Sequence, residues 1–248
     1  IYFEIMNAYF RDYQTIILEG KEVGKISETI TLQIKLFIGL DIIEQTKDSI
    51  VIKNFSSEDK ELSPRPLIKK MDLSIREMFT LLFNFFDAGF SKDDLFELQK
   101  VREQNERIYF LTRKSILLGI ENPYLMKKFQ TTYHQLSKDK VLAGLLNNLS
   151  SLLTSMGKSF LYLEHTRKET AALKKILGSM EEEYRLILNA MKYKNYPDMF
   201  QTITKHKKIT SEIESHRKDF SNPLMQEVFA YILVIKNLLH QLAFEVIE

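Results

Sequence analysis

Up to about residue 55 the spacing of apolar residues changes every dozen positions; from Pro64 to the end it keeps one period. Ile1 to Phe10 carry the apolar stripe of the end of an amphipathic helix. The stretch 13-YQTIILEG-20 is β-branched, short and closed by Gly20, which predicts a strand. Val23, Ile26, Ile30, Ile34 and Phe37 then recur at helical spacing, with Gly39 as the stop. The runs 42-IIEQ and 49-SIVIKNF flank 46-TKDS and predict a hairpin. The order α-β-α-β-β predicts a small layered α/β module over 1–57.

From Pro64 onward the pattern predicts helices near 64–89, 92–119, 137–167, 168–193, 196–220 and 223–247, with a short piece at 123–130. Pro123, Pro197 and Pro223 mark starts, because proline suits the first helical turn and little else in a helix. Ser91 before 92-KDD is an N-cap signal with acids in the first turn. Long helices with short connections form antiparallel bundles. The expected fold is therefore mainly α, with three-helix repeats over 63–167 and 168–248 behind the small α/β module.

In the helix expected over 137–167 the core stripe is Leu142, Leu145, Leu146, Leu149, Leu152, Leu153, Met156 and Phe160. Ala143, Ser150, Thr154 and Gly157 lie together beside it at about 100° per residue. Small side chains on one flank suit a close helix approach, and a ligand site is the alternative. In the helix over 92–119, Leu98, Val101, Ile108 and Ile116 form the stripe, interrupted by Asn105 and Thr112. Arg102, Glu106, Tyr109 and Arg113 line a neighbouring face. That face reads either as a solvated charged surface or as an anion or partner surface, with Arg102, Arg107 and Arg113 as donors. Arg102 and Glu106 make an i,i+4 pair worth about 0.3–0.5 kcal/mol when exposed.

Composition narrows the chemistry. The 248 residues contain 8 Gly, 5 Pro and no Cys, which removes disulfides, thiolate catalysis and Cys-ligated metal centres. A net charge of +2 gives no field that by itself predicts nucleic-acid binding. No uninterrupted apolar run reaches the ~18 residues of a membrane span; the best, 228-VFAYILVI-235, ends at Lys236. The chain is expected to be cytoplasmic, without membrane insertion. It carries no Gly-rich phosphate loop, no G-x-S-x-G and no H-x-x-x-H pair. His206 and His216 are ten positions apart and point in different directions, and Glu181, Glu182 and Glu183 form a charge run of the kind usually found on a solvated face. No nucleophile is specified together with a base, so the expectation is a non-enzymatic protein without a cofactor.

The run 106-ERIYFLTRK-114 resembles a helix motif of the archaeal PhoU-type phosphate-uptake regulators, in which Asp-Arg-Leu-Tyr-Phe-Leu precedes a basic residue. The likeness extends to 38-IGLDIIEQTKDSIVIKNF-55, similar to the family's strand pair. It also takes in 67-LIKKMDLSIREMF-79, similar to its first bundle helix, and 119-GIENPYLMKK-128, similar to the link after its second. It is continuous from about residue 10 to 167. The resemblance implies two three-helix repeats and a role in phosphate uptake or phosphate signalling, exerted through a protein partner such as a phosphate transporter or sensor component. A homodimer is left open. Archaeal members often carry an AbrB-like DNA-binding domain ahead of the mixed module, expected here upstream of Ile1. A second expectation is thus the sensing or dimerisation half of a transcription factor, touching DNA only through that upstream domain.

Many members of that family hold metal clusters through acids four apart on their helices, where hard cations bridge both carboxylates. The resemblance maps these positions onto Arg102 and Glu106, with Glu103 beside them, and onto Ser150 and Thr154. Lys236 and His240 stand at the loosely matching positions of the last helix. A base and two hydroxyls replace acids, so no metal is expected at these degenerate positions. The partner face is expected to be Arg102, Glu106, Tyr109 and Arg113.

Overall fold

The computed structural model of the chain describes residues 1–56, 63–163, 167–193, 196–216 and 223–247. The first residues form α1 (Tyr2–Phe10), β1 (Thr15–Glu19), a 3-10 turn (Val23–Ile26), α2 (Ser27–Ile34), β2 (Leu40–Gln45) and β3 (Ser49–Asn54). Helices follow: α3 (Pro64–Ala88), α4 (Lys92–Glu121), the short α5 (Pro123–Lys128), α6 (Tyr133–Phe160), α7 (Arg167–Tyr193), α8 (Tyr196–His216) and α9 (Pro223–Ile247). The described chain is mainly helical, with one small antiparallel sheet. Residues 217–220, expected as the end of a helix, and the expected boundary after residue 57 lie outside the described residues.

Two elements differ from their expected form. The helix expected over 22–38 begins as a 3-10 turn, because Gly24 passes so close to the Lys47 backbone that a Cβ there would meet its carbonyl oxygen. The Gly24 amide donates to that carbonyl at 3.1 Å. The helix expected over 137–167 lies further upstream, at Tyr133–Phe160. Thr132 starts it, its hydroxyl accepting from the Gln135 amide at 3.2 Å. The Ser91 cap forms as expected: its hydroxyl accepts from the Asp94 amide at 3.1 Å, and its amide donates back to the Asp94 carboxylate at 2.8 Å. These bonds hold the Asp94 carboxyl below the usual carboxylate range.

By compactness the chain divides into two units, Ile1–Asp72 with Glu103–Gly144 and Leu73–Arg102 with Leu145–Glu248. The division passes through α3, α4 and α6, each of which contributes a stretch to both units, and does not follow the expected repeat boundaries.

In the first unit the sheet has the order β1-β3-β2, with Ile16 opposite Ile52 and Ile17 opposite Val51. Alternation places Ile16, Ile50 and Ile52 inward, while Ile17 and Lys53 face out. A bulge between Ile42 and Glu44 leaves Ile43 exposed. The inner face packs on Ile5, Tyr9, Phe10, Ile30, Ile34 and Phe37, and also on Phe110 from α4. The Phe110 ring lies 5.1 Å from Phe37 and 6.1 Å from Phe10, so the core of the α/β module is completed from a helix far along the chain.

In the second unit α7, α8 and α9 pack on one another. Leu173, Ile176, Met180 and Ile187 of α7 are buried, as are Ile209 and Ile213 of α8 and Val228, Ile232, Ile235 and Leu239 of α9. The segment Pro223–Glu245 is long and apolar enough in composition to cross a membrane, at a mean hydropathy of 1.3, once the interrupting Lys236 is tolerated. Its buried residues recur at helical spacing, the pattern of a helix packed along one side.

Candidate functional site

The run 106–114 occupies the middle of α4 in the first unit, and its side chains alternate between two tasks. Ile108, Phe110, Leu111 and Thr112 are buried, and the Thr112 hydroxyl donates to the Ile108 carbonyl at 2.7 Å. Lys114 is buried as well, and its ammonium meets the Asp12 carboxylate at 2.7 Å and the Ser56 hydroxyl at 2.8 Å. Asn54 closes the knot: its amide donates to Asp12 at 3.3 Å and to the Tyr13 carbonyl at 3.2 Å, and its oxygen accepts from the Ser56 hydroxyl at 2.6 Å. The ammonium also lies 4.6 Å from the centre of the Tyr9 ring. Desolvation pulls the Lys114 pKa below that of an ordinary lysine, and the Asp12 carboxylate opposes that pull. Asp12 reaches this position from a backbone with φ +58, at the turn that ends α1.

Of the expected partner face, Tyr109 is half-buried against the module's core, and the Arg113 guanidinium lies 4.8 Å over the Phe10 ring. Arg113 Nε is buried and has no hydrogen-bond partner among the described residues. Tyr109, Arg113 and Ile116 of α4, with Lys140 and Ala143 of α6, line a cavity of about 200 Å³. Glu106 is half-buried, and its charge raises the pKa of the Tyr2 hydroxyl on top of the larger effect of burial. Glu103 and Arg107 are exposed. Arg102, half-buried, is the last α4 residue of the second unit.

Ser150 and Thr154, in the second unit, are both buried and turn onto their own helix. Ser150 donates to the Asn147 carbonyl at 2.7 Å and Thr154 to the Ser150 carbonyl at 2.9 Å. One turn on, a Cβ on Gly157 would collide with the Leu98 side chain and press on Leu82 at 3.3 Å and Phe90 at 3.4 Å. The small-residue edge is thus a packing edge at Gly157.

The second unit carries a polar cluster that the spacing of residues did not reveal. Glu183, expected on a solvated face, is fully buried; only Glu182 of that charge run is exposed. Glu181 pairs with Arg185 at 2.6 Å and Glu182 with Lys205. Glu183 Oε1 lies 3.0 Å from His206 Nδ1, and the His206 ring stacks on His240 at 4.4 Å. His240 in turn meets the edge of Phe244 at 4.7 Å and is exposed. Burial pushes the Glu183 carboxyl up to about 7, against the pull of Lys236 and Lys205. Burial, with the charges of His240 and Lys236, pushes His206 down to about 4. Between about pH 4 and 7 the pair therefore holds one proton, on Glu183. The three side chains run from the buried Glu183 to the exposed His240, joined by one hydrogen bond and one ring stack.

Among the described residues, no group of three or more His, Asp or Glu side chains is arranged to hold a metal ion. The cluster escaped sequence reasoning because Glu183 and His206 are separated by 23 positions. Only the pairing of α7 with α8 brings them together. The one available signal was the phase of Glu183, three residues after Met180 and four before Ile187 on the buried stripe. No protein-family model, curated protein or solved structure matches the chain.

Proposed function

We propose that this protein is a non-enzymatic regulator of the PhoU type, acting in phosphate uptake or phosphate signalling through a protein partner, a transporter or sensor component. The observation that carries the reading is the use made of the run 106–114. Its Tyr109, Phe110, Arg113 and Lys114 bind α4 to the α/β module at Phe10, Tyr9 and Asp12. The segments that resemble the family's helix motif and its strand pair are thus parts of one structural unit.

Because Arg113 and Tyr109 serve packing within the unit, the partner face is best tested through Arg102 and Arg107. The test is a pull-down of the candidate transporter or sensor component by the full chain and by an Arg102→Glu/Arg107→Glu variant. We expect the unaltered chain to retain the partner and the variant to lose it while keeping its helical circular dichroism. Equal retention by both removes the face, and no retention by the unaltered chain removes the reading. Tight binding of duplex DNA in fluorescence anisotropy would instead favour a transcription factor.

A further inference from the structure

We propose that the cavity between α4 and α6, lined by Tyr109, Arg113, Ile116, Lys140 and Ala143, binds a small oxyanion such as phosphate or sulfate. The inference stands on this cavity alone and does not depend on the regulator reading.

Two of the five lining side chains are cations and a third carries a hydroxyl; none is an acid. Among the described residues no carboxylate pairs with Arg113 or Lys140. The nearby carboxylate of Asp12 is taken by Lys114, at 2.7 Å. Asp139, next to Lys140 in the chain, accepts from the Gln135 amide at 2.8 Å and does not line the cavity. Burial moves its carboxyl toward the neutral form, which lessens its competition for the cations.

Arg113 is the group that specifies the ligand. Its guanidinium is fixed by stacking on Phe10, so little side-chain freedom is lost on binding. Its Nε–H is buried without an acceptor, so no carboxylate or carbonyl of the described residues draws that side of the guanidinium away from an anion. A guanidinium presents parallel N–H donors that match two oxygens of one phosphate or sulfate, and Lys140 adds a mobile point charge from the solvent side. The Tyr109 hydroxyl supplies a further donor. Size selects in the same direction. Pockets for drug-sized ligands run about 300–1,000 Å³, so a cavity of about 200 Å³ suits an ion or a very small metabolite. The apolar side chains of Ile116 and Ala143 lower the local dielectric and strengthen each contact.

The experiment follows the Arg113 Nε–H resonance of the full chain by NMR. Phosphate, sulfate and succinate are titrated separately at constant ionic strength, since screening alone changes weak ionic contacts. The resonance is identified by its loss in Arg113→Lys. We expect a saturable shift with phosphate and with sulfate, and affinity weakened at least about tenfold in Lys140→Glu, where a repelling carboxylate replaces an exposed charge. Absence of any saturable shift with either oxyanion overturns the proposal. So does an affinity unchanged in Lys140→Glu. A preference for succinate overturns the assigned class in favour of a carboxylate. Should Arg113→Lys fail to fold, the exposed Lys140 variant still decides the outcome.

Discussion

Each unit buries charged groups, and the two solve the problem in opposite ways. In the first, Lys114 meets Asp12 and Ser56, and Asn54 donates to Asp12 and accepts from Ser56, so that opposite charges are kept and satisfied. In the second, Glu183 and His206 approach to 3.0 Å, yet Glu183 Oε2 has no hydrogen-bond partner among the described residues. Desolvation there outweighs attraction: the acid is pushed up and the base pushed down. A buried pair is ionic only where enough dipoles and hydrogen bonds replace the water it gave up. The first cluster has two polar neighbours that do this; the second has an aromatic ring and a second imidazole.

The strongest way to break the comparison is to remove one partner of the ionic cluster. Lys114→Met leaves the partly exposed Asp12 with only the Asn54 amide, and we expect a loss of about 1–3 kcal/mol in denaturant unfolding. Adding Asp12→Asn should return much of it, because no unpaired charge then remains. Equal stability of the single and double variants would show that the charges are not coupled.

The second cluster is sharpened by its pH dependence. Between about pH 4.5 and 6.5 the unfolded chain keeps one proton on His206, and the folded chain keeps one on Glu183, whose pKa is raised to about 7. The pair thus contributes almost no slope in this window. In Glu183→Gln the depressed His206 remains: the unfolded state binds the extra proton, and stability falls as pH drops from 6.5 toward about 4. In His206→Phe the raised Glu183 remains: the folded state binds the extra proton, and stability falls as pH rises from about 4.5 to 7. Each slope, taken as a difference from the unaltered chain, is bounded by about 1.4 kcal/mol per pH unit. Slopes of the same sign in the two variants would exclude a raised Glu183 beside a depressed His206.

A smaller contrast lies along α6. Gly157→Ala drives a methyl into Leu98 and should destabilise by about 1 kcal/mol, the overpacking cost exceeding the gain in helix propensity. Gly144 in the same helix has nothing within 4 Å of where its Cβ would sit, so Gly144→Ala should stabilise by about 0.5–1 kcal/mol. Thermal unfolding of the pair should move in opposite directions.

Periodicity made the secondary structure legible. The strands, the hairpin and the starts of α3, α4 and α9 follow from β-branched runs, Ser91 and the prolines, signals that act within a few residues. Tertiary placement was not legible in the same way. Tyr109 and Arg113 shared an expected surface with Arg102, but the stretch of α4 that carries them is covered by Phe10 and its neighbours, which helical phase alone cannot foresee. Lys140 was not singled out, because a lone exposed lysine acquires meaning only once α6 sets it beside Arg113. Glu183 was assigned to solvent by its company of acids, although its phase with Met180 and Ile187 argued for the interior.

The completion of the module's core by α4 also sets an order on biosynthesis. Ser56 leaves the ribosome 58 residues before Lys114, the cation that binds it. At about 5–20 residues per second the gap lasts roughly 3–12 s. During that interval the nascent sheet has neither Phe110 to cover its aromatic cluster nor a countercharge for Asp12. These strands are thus left waiting, open to chaperones or to pairing with a neighbouring nascent chain until the helix arrives.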